Sequence, residues 1–217
     1  MHRTDSGQSL LEYGLILLLA AGVVLGTLSA VGVDLKGVYC QILEGFGVDA
    51  CQQVLMDWDL YQGNCQAVNG KVCCDQYGYI FANEFSGEDY TLQVSGAHLT
   101  QGWGYGIFFR TQRNNGGFDG YNFQYDPGYG SGEFLFRKWI NGYELSPIAR
   151  EPAPQGFDWY SAPRDLRIEI SGETFTAFVD GEEVLSVTDD SYQEGGVGVR
   201  VWDSSSFCTD GVTVTRH

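Results

Sequence analysis

Three alternating segments, YGIFFRTQ, YNFQYDP and FLFRKW, carry the side chains best suited to chemistry. Residues two apart on a strand share a face. Ile107 with Phe109, Tyr121 with Phe123 and Tyr125, and Phe134 with Phe136 therefore point one way, toward a core. Phe108, Arg110, Asn122, Gln124, Arg137 and Trp139 point the other way. That second set joins flat aromatic surface to planar amide and guanidinium groups, which can stack on a sugar ring and hydrogen-bond its hydroxyls. Neighbouring strands lie about 4.8 Å apart, so three of them cover the width of a one- or two-residue sugar. Trp139 is the expected stacking platform. The same residue types are enriched where a helix docks or subunits pack, and of the two readings a packing face is the one these residues alone favour.

The six cysteines are Cys40, Cys51, Cys65, Cys73, Cys74 and Cys208, an even number that points to disulfides in an oxidising compartment. Asn69-Gly70 is the preferred two-residue hairpin turn; it pairs Val68 with Lys71 and, counting outward, sets Cys65 opposite Cys74. Cys73 then faces the other side and is left for Cys208, with Cys40 and Cys51 closing the exit of the preceding segment. Zinc is the rival use, but there is no CxxC pair and the only histidines are His2, His98 and His217. No metal and no cofactor are expected. Asp119, Asp126, Asp203 and Asp210, near loops, could bind calcium, but no EF-hand loop is present and solvated turn aspartates are the commoner case. With 12 basic against 28 acidic residues the chain carries a formal charge of −16, which repels phosphate backbones and excludes nucleic acid as a partner.

The elements that position these residues are short strands. Period-two alternation, broken by Gly, Asn, Asp and Pro clusters, runs from about Gln53 to the end of the chain. It predicts strands at Leu60–Val68, Lys71–Asp75, Tyr90–Ser95, Gly104–Gln112, Tyr121–Asp126, Glu133–Ile140, Leu166–Ser171, Thr174–Val179, Glu183–Val187, Val197–Val201 and Val212–Thr215. So many short strands indicate a sandwich. The stretches already quoted, with LRIEISGETFTAFVDGEEVLSV and GGVGVRVW, resemble concanavalin A-like (laminin G-like) jelly rolls, which implies a sugar-binding outer face. Glycosidases of that kind present ExDxxE on one strand, and no such string occurs here. Glu169 stands alone on its strand face, Glu182 and Glu183 sit in a turn, and there is no GxSxG. The expectation is a protein that is not an enzyme.

Ahead of this region, GLILLLAAGVVLGTLSAVGV (Gly14 to Val33) carries no charge and is long enough as a helix to cross the ~30 Å bilayer core. Glu12 lies at the rim of the apolar run, where an unpaired carboxylate is costly. Gly22, Gly26 and Ala30 form a small-residue stripe that allows close helix approach. The string GQSLLEYGLILLLAAGVV resembles the prepilin signals of Flp (type IVb, Tad pilus) subunits. That resemblance implies a peptidase cut between Gly7 and Gln8, with Glu12 and Tyr13 as the Glu-Tyr pair of the subfamily and the new amine of Gln8 neutralising Glu12 of a neighbouring subunit. Flp pilins end soon after the helix, whereas this chain continues through residues 46–217.

The sequence thus predicts a two-part α+β chain. Residues 1–7 are a prepilin leader, 8–45 a hydrophobic pilin helix, 46–52 a linker and 53–217 a jelly roll. The expected role is a structural pilin that passes from the inner membrane into an extracellular filament, forming a homopolymer through its helix and meeting a prepilin peptidase and surface glycans. The alternative is a membrane-anchored carbohydrate-binding protein that never polymerises.

Overall fold

Apolar residues recurring with period two fold into twelve strands, all paired antiparallel, in the computed structural model, which describes residues 56–83 and 85–217. They are β1 (Trp58–Val68), β2 (Lys71–Ala82), β3 (Tyr90–Gln101), β4 (Tyr105–Asn114), β5 (Gly117–Asp126), β6 (Glu133–Ile140), β7 (Tyr143–Pro152), β8 (Arg164–Ser171), β9 (Thr174–Val179), β10 (Glu182–Thr188), β11 (Gly196–Cys208) and β12 (Gly211–Arg216). One sheet runs β1-β2-β11-β4-β5-β6-β7 and the other β10-β9-β8-β3-β12. β3 joins them at a corner: Tyr90–Ala97 pairs with β8, and Leu99 and Gln101 meet Phe207 and Ser206 of β11.

The α+β class expected from the sequence is corrected to an all-β sandwich, since the described residues hold strands and no helix. The expected helix at 8–45, the linker at 46–52 and the residues Gly7, Gln8, Glu12, Tyr13, Gly22, Gly26, Cys40 and Cys51 lie outside the described residues. Among the described residues no helix is long and apolar enough to cross a membrane.

Ile107, Phe109, Tyr121, Phe123, Tyr125, Phe134 and Phe136 are buried between the sheets, facing Ile168, Ile170 and Phe175 of the smaller one. Each such side chain contributes roughly 1.5–3 kcal/mol by leaving water. Asn69 and Gly70 adopt positive φ (52° and 80°), and the β1–β2 hairpin they close puts Cys65 in register with Cys74. That pair is disulfide-bonded and buried, Cα to Cα 4.0 Å. A second disulfide joins Cys73 of β2 to Cys208 of β11, residues that also share a register position.

The larger sheet curls. Tyr61 of β1 reaches Phe118 of β5, ring centroids 5.6 Å apart, and Asp59 of β1 pairs with Arg113 of β4 at 2.7 Å. On a flat sheet β1 and β5 would stand about 19 Å apart. The outer face is therefore concave, and its β1 end is filled by the chain's own rings.

Candidate functional site

The concave face sorts the six expected ligand residues into three fates. Arg110 leaves the face altogether. A bulge between Phe109 and Gln112 and a positive φ of 46° break the alternation there, so the side chain turns inward and is 1% exposed. Its guanidinium donates to the carbonyls of Glu88 (2.8 and 3.1 Å), Gly172 (2.7 Å) and Tyr192 (3.0 Å). Arg110 ties three loops together and contacts no open surface.

Phe108 and Trp139 do lie on the outer face, but both are buried, with Tyr79, Phe81 and Phe118, under the cap that Tyr61 provides. The indole of Trp139 stacks on Phe118 at 5.3 Å and carries the Arg200 guanidinium at 4.6 Å. The expectation that Trp139 is a sugar platform is corrected accordingly: the curl of the sheet closes over it. Asn122 is also fully buried, seated over Gly106, where an added Cβ would come within 2.5 Å of its Oδ1 and 3.0 Å of Arg200 Cγ.

Gln124 and Arg137 remain, and the fold brings them together. Arg137 Nε donates to Gln124 Oε1 at 2.8 Å and pairs with Glu144 Oε1 at 3.0 Å, while its Nη1 donates to the Leu145 carbonyl at 2.9 Å. Gln124 Nε2 also donates to Glu144 Oε1. Arg200 Nη1 donates to Glu144 Oε2 at 3.0 Å. One carboxylate thus binds two largely buried guanidiniums and an amide. Around this network opens a groove of about 610 Å³, completed by Asp126, Ser146, Trp202 and Asp203.

Sequence reasoning missed Glu144, Arg200 and Trp202. Glu144 sits on β7, whose Pro147 and Pro152 hide it as a strand; prolines are tolerated there because β7 pairs only with β6 and is an edge. Arg200 and Trp202 lie on β11, which takes its place beside β4 from far along the chain. The alternation in GGVGVRVW does set both opposite the buried Val197, Val199 and Val201, a signal that could have found them.

Asp126 is 7% exposed, and this burial pushes its carboxyl up to about 6, against the pull of the Gly128 N–H and of Arg137. A raised folded value means its favourable contribution is complete below about pH 4 and lost as pH rises through about 6. Asp126→Asn keeps the oxygen that accepts the Gly128 N–H at 3.1 Å and removes the charge. The variant is expected to melt higher than the parent at pH 8 and equally at pH 4, as thermal denaturation at the two values will show.

Of the other turn aspartates, Asp119 accepts from Asn141 N at 2.6 Å and Asp210 pairs with Lys71 at 2.8 Å. Among the described residues no group of three His, Cys, Asp or Glu is placed to hold a metal ion.

No protein-family model and no curated protein matches the chain. Solved structures do. A carbohydrate-binding module, CBM66 from Bacillus subtilis, superposes with a TM-score of 0.62 at 23% identity, over 74% of this chain and 96% of that one. The domain has the lectin-like jelly-roll fold. The exoplasmic/lumenal domain of VIP36, in a Ca2+/Man3GlcNAc-bound form, gives 0.56 at 14% identity over 74% and 85% of the two chains. A prokaryotic β-1,3-1,4-glucanase (lichenase) derived from a mouse hindgut metagenome gives 0.54 at 13% over 74% and 93%. This lectin-like sandwich is thus shared by binding modules and hydrolases, and the side chains on its concave face must distinguish them.

Proposed function

We propose that the lectin-like domain binds glycan in the groove of Gln124, Arg137, Glu144 and Arg200. The observation that carries this reading is the network itself: planar amide and guanidinium groups locked in place on a concave surface, beside the partly exposed ring of Trp202. Such groups bind paired hydroxyls without losing side-chain freedom on contact. The state of Glu144 supports binding: both of its oxygens are engaged by Arg137, Gln124 and Arg200, so this carboxylate is not free to act as nucleophile or acid. The experiment is a glycan array probed with the full chain and with Arg137→Ala. Retention of one glycan class by the parent and its loss in the variant is expected; a blank array from the folded parent would defeat the reading.

We further infer from the string GQSLLEYG that the chain is made as a prepilin-like precursor cut between Gly7 and Gln8, and that the domain is displayed outside the cell on a filament. Intact-mass measurement of protein sheared from cells tests this. A mature chain beginning beyond Val33, or recovery solely as membrane-bound monomer, would replace the filament subunit with an anchored binding protein.

A further inference from the structure

Beside the polar groove lies a second recess of about 160 Å³, lined by Trp103, Tyr129 and Trp202 together with Asp126, Asp203 and Gly128. Asp126, Trp202 and Asp203 belong to both spaces, so the two are contiguous.

Trp103 is 56% exposed, an unusual state for the largest apolar side chain, yet it is firmly held. Its backbone N–H and that of Gly104 donate to Ser205 Oγ at 2.9 and 3.1 Å. Ser205 is fully buried and donates in turn to the Trp202 carbonyl at 2.5 Å. One hydroxyl therefore pins both tryptophan-bearing turns. Each ring also lies on a glycine: a Cβ at Gly128 would come within 2.4 Å of the Trp103 ring, and one at Gly104 within 2.8 Å of Trp202 Cζ2. Within the Trp202–Ser205 turn, Asp203 and Ser204 both hold positive φ, 44° and 63°. Such conformations cost roughly 1–2 kcal/mol per residue and persist where the surroundings impose them. The strained turn after Trp202 braces, through Ser205, the neighbouring turn that presents the Trp103 indole to solvent, a surface on which something flat and apolar can lie.

We propose that this recess is a second sugar subsite, so that the domain takes an uncharged glycan of at least two residues, one held by the Gln124–Arg137–Glu144–Arg200 network and the next stacked on tryptophan. The inference rests on the glycan reading of the groove and extends it. The C–H face of a sugar ring supplies the flat apolar surface, and Asp126 and Asp203 accept hydrogen bonds from its hydroxyls. Those carboxylates also set the charge selectivity. Both arginines are already committed to Glu144, leaving three carboxylates against two guanidiniums across the joined spaces on a chain of net charge −16, so uronic acids are repelled.

Calorimetric titration of the full chain with neutral gluco-, manno-, galacto- and fructo-oligosaccharides of one to four units, and with uronic-acid oligosaccharides, tests the proposal. In the neutral series that binds, affinity is expected to rise about tenfold from one unit to two. Trp103→Ala is expected to erase that rise at an unchanged melting temperature, whereas Gln124→Ala lowers affinity at every length. A length gain that survives Trp103→Ala, or a preference for uronic acids, overturns the subsite. Absence of binding to every sugar by the folded parent overturns the glycan reading itself and the subsite with it.

Discussion

Arg110→Met is expected to destabilise the domain by roughly 3–5 kcal/mol, seen as a fall of about 6–20 °C in melting temperature. Methionine keeps the length of the stem and inherits the same positive φ, so backbone strain cancels between parent and variant. What changes is the fate of the carbonyls of Glu88, Gly172 and Tyr192 and of the Asp89 carboxylate, which lose a guanidinium whose side chain is 1% exposed. Arg110→Lys is expected to recover only a minor part of the loss, because a compact ammonium cannot serve acceptors spread over three loops. A melting temperature within about 2 °C of the parent for Arg110→Met would show that the loops are held by packing alone.

Glu144→Gln acts on stability and binding together. The single carbonyl oxygen of glutamine can serve Arg137 and Gln124 or Arg200, not both, and its amide presents a donor to a donor. Arg200, with a side chain 5% exposed, is left buried without its carboxylate. Because Glu144 itself is 30% exposed, water screens part of the loss, and a cost of about 1–3 kcal/mol is expected rather than that of a fully buried pair. Glycan affinity should fall more than about tenfold, since the arginines and Gln124 lose the geometry that the carboxylate imposes. The decisive measurement is a double-mutant cycle with Arg200→Met. If the network is one unit, the double variant is less destabilised than the sum of the single ones. Additive losses would mean that Glu144 and Arg200 are not coupled.

The strands were legible because their alternation is local, and so was the Cys65–Cys74 hairpin, where one Asn-Gly turn fixes the whole register. The face assignment held where strands stay regular. It failed at Arg110, where a bulge adds a residue that composition does not reveal; at Trp139 the face is as alternation requires, but the curl of the sheet brings Tyr61 over the cluster that buries it. The α+β expectation gave way because the described residues hold strands and no helix. Half of the groove was out of reach for a different reason: Arg200 and Trp202 reach it through pairing of β11 with β4, and nothing local announces which distant strand a segment will join. Glu144 was hidden by the prolines of its own edge strand.

The two disulfides also decide how the domain bears mechanical load. Tension applied between the ends of the described chain runs from Met56 to Cys65, crosses to Cys74, steps back to Cys73, crosses again to Cys208 and leaves at His217. This covalent shortcut bypasses Asp75 through Phe207, so once β1 and β12 have peeled away, hydrogen-bonded pairs wholly within that span carry none of the end-to-end force. Every groove and recess side chain named above, from Trp103 to Asp203, lies inside the bypassed span. A tethered copy pulled by its ends can peel β1 only as far as Cys65 and β12 only as far as Cys208 before the pull meets a covalent bond, and the strands that bear the groove stay outside the taut path.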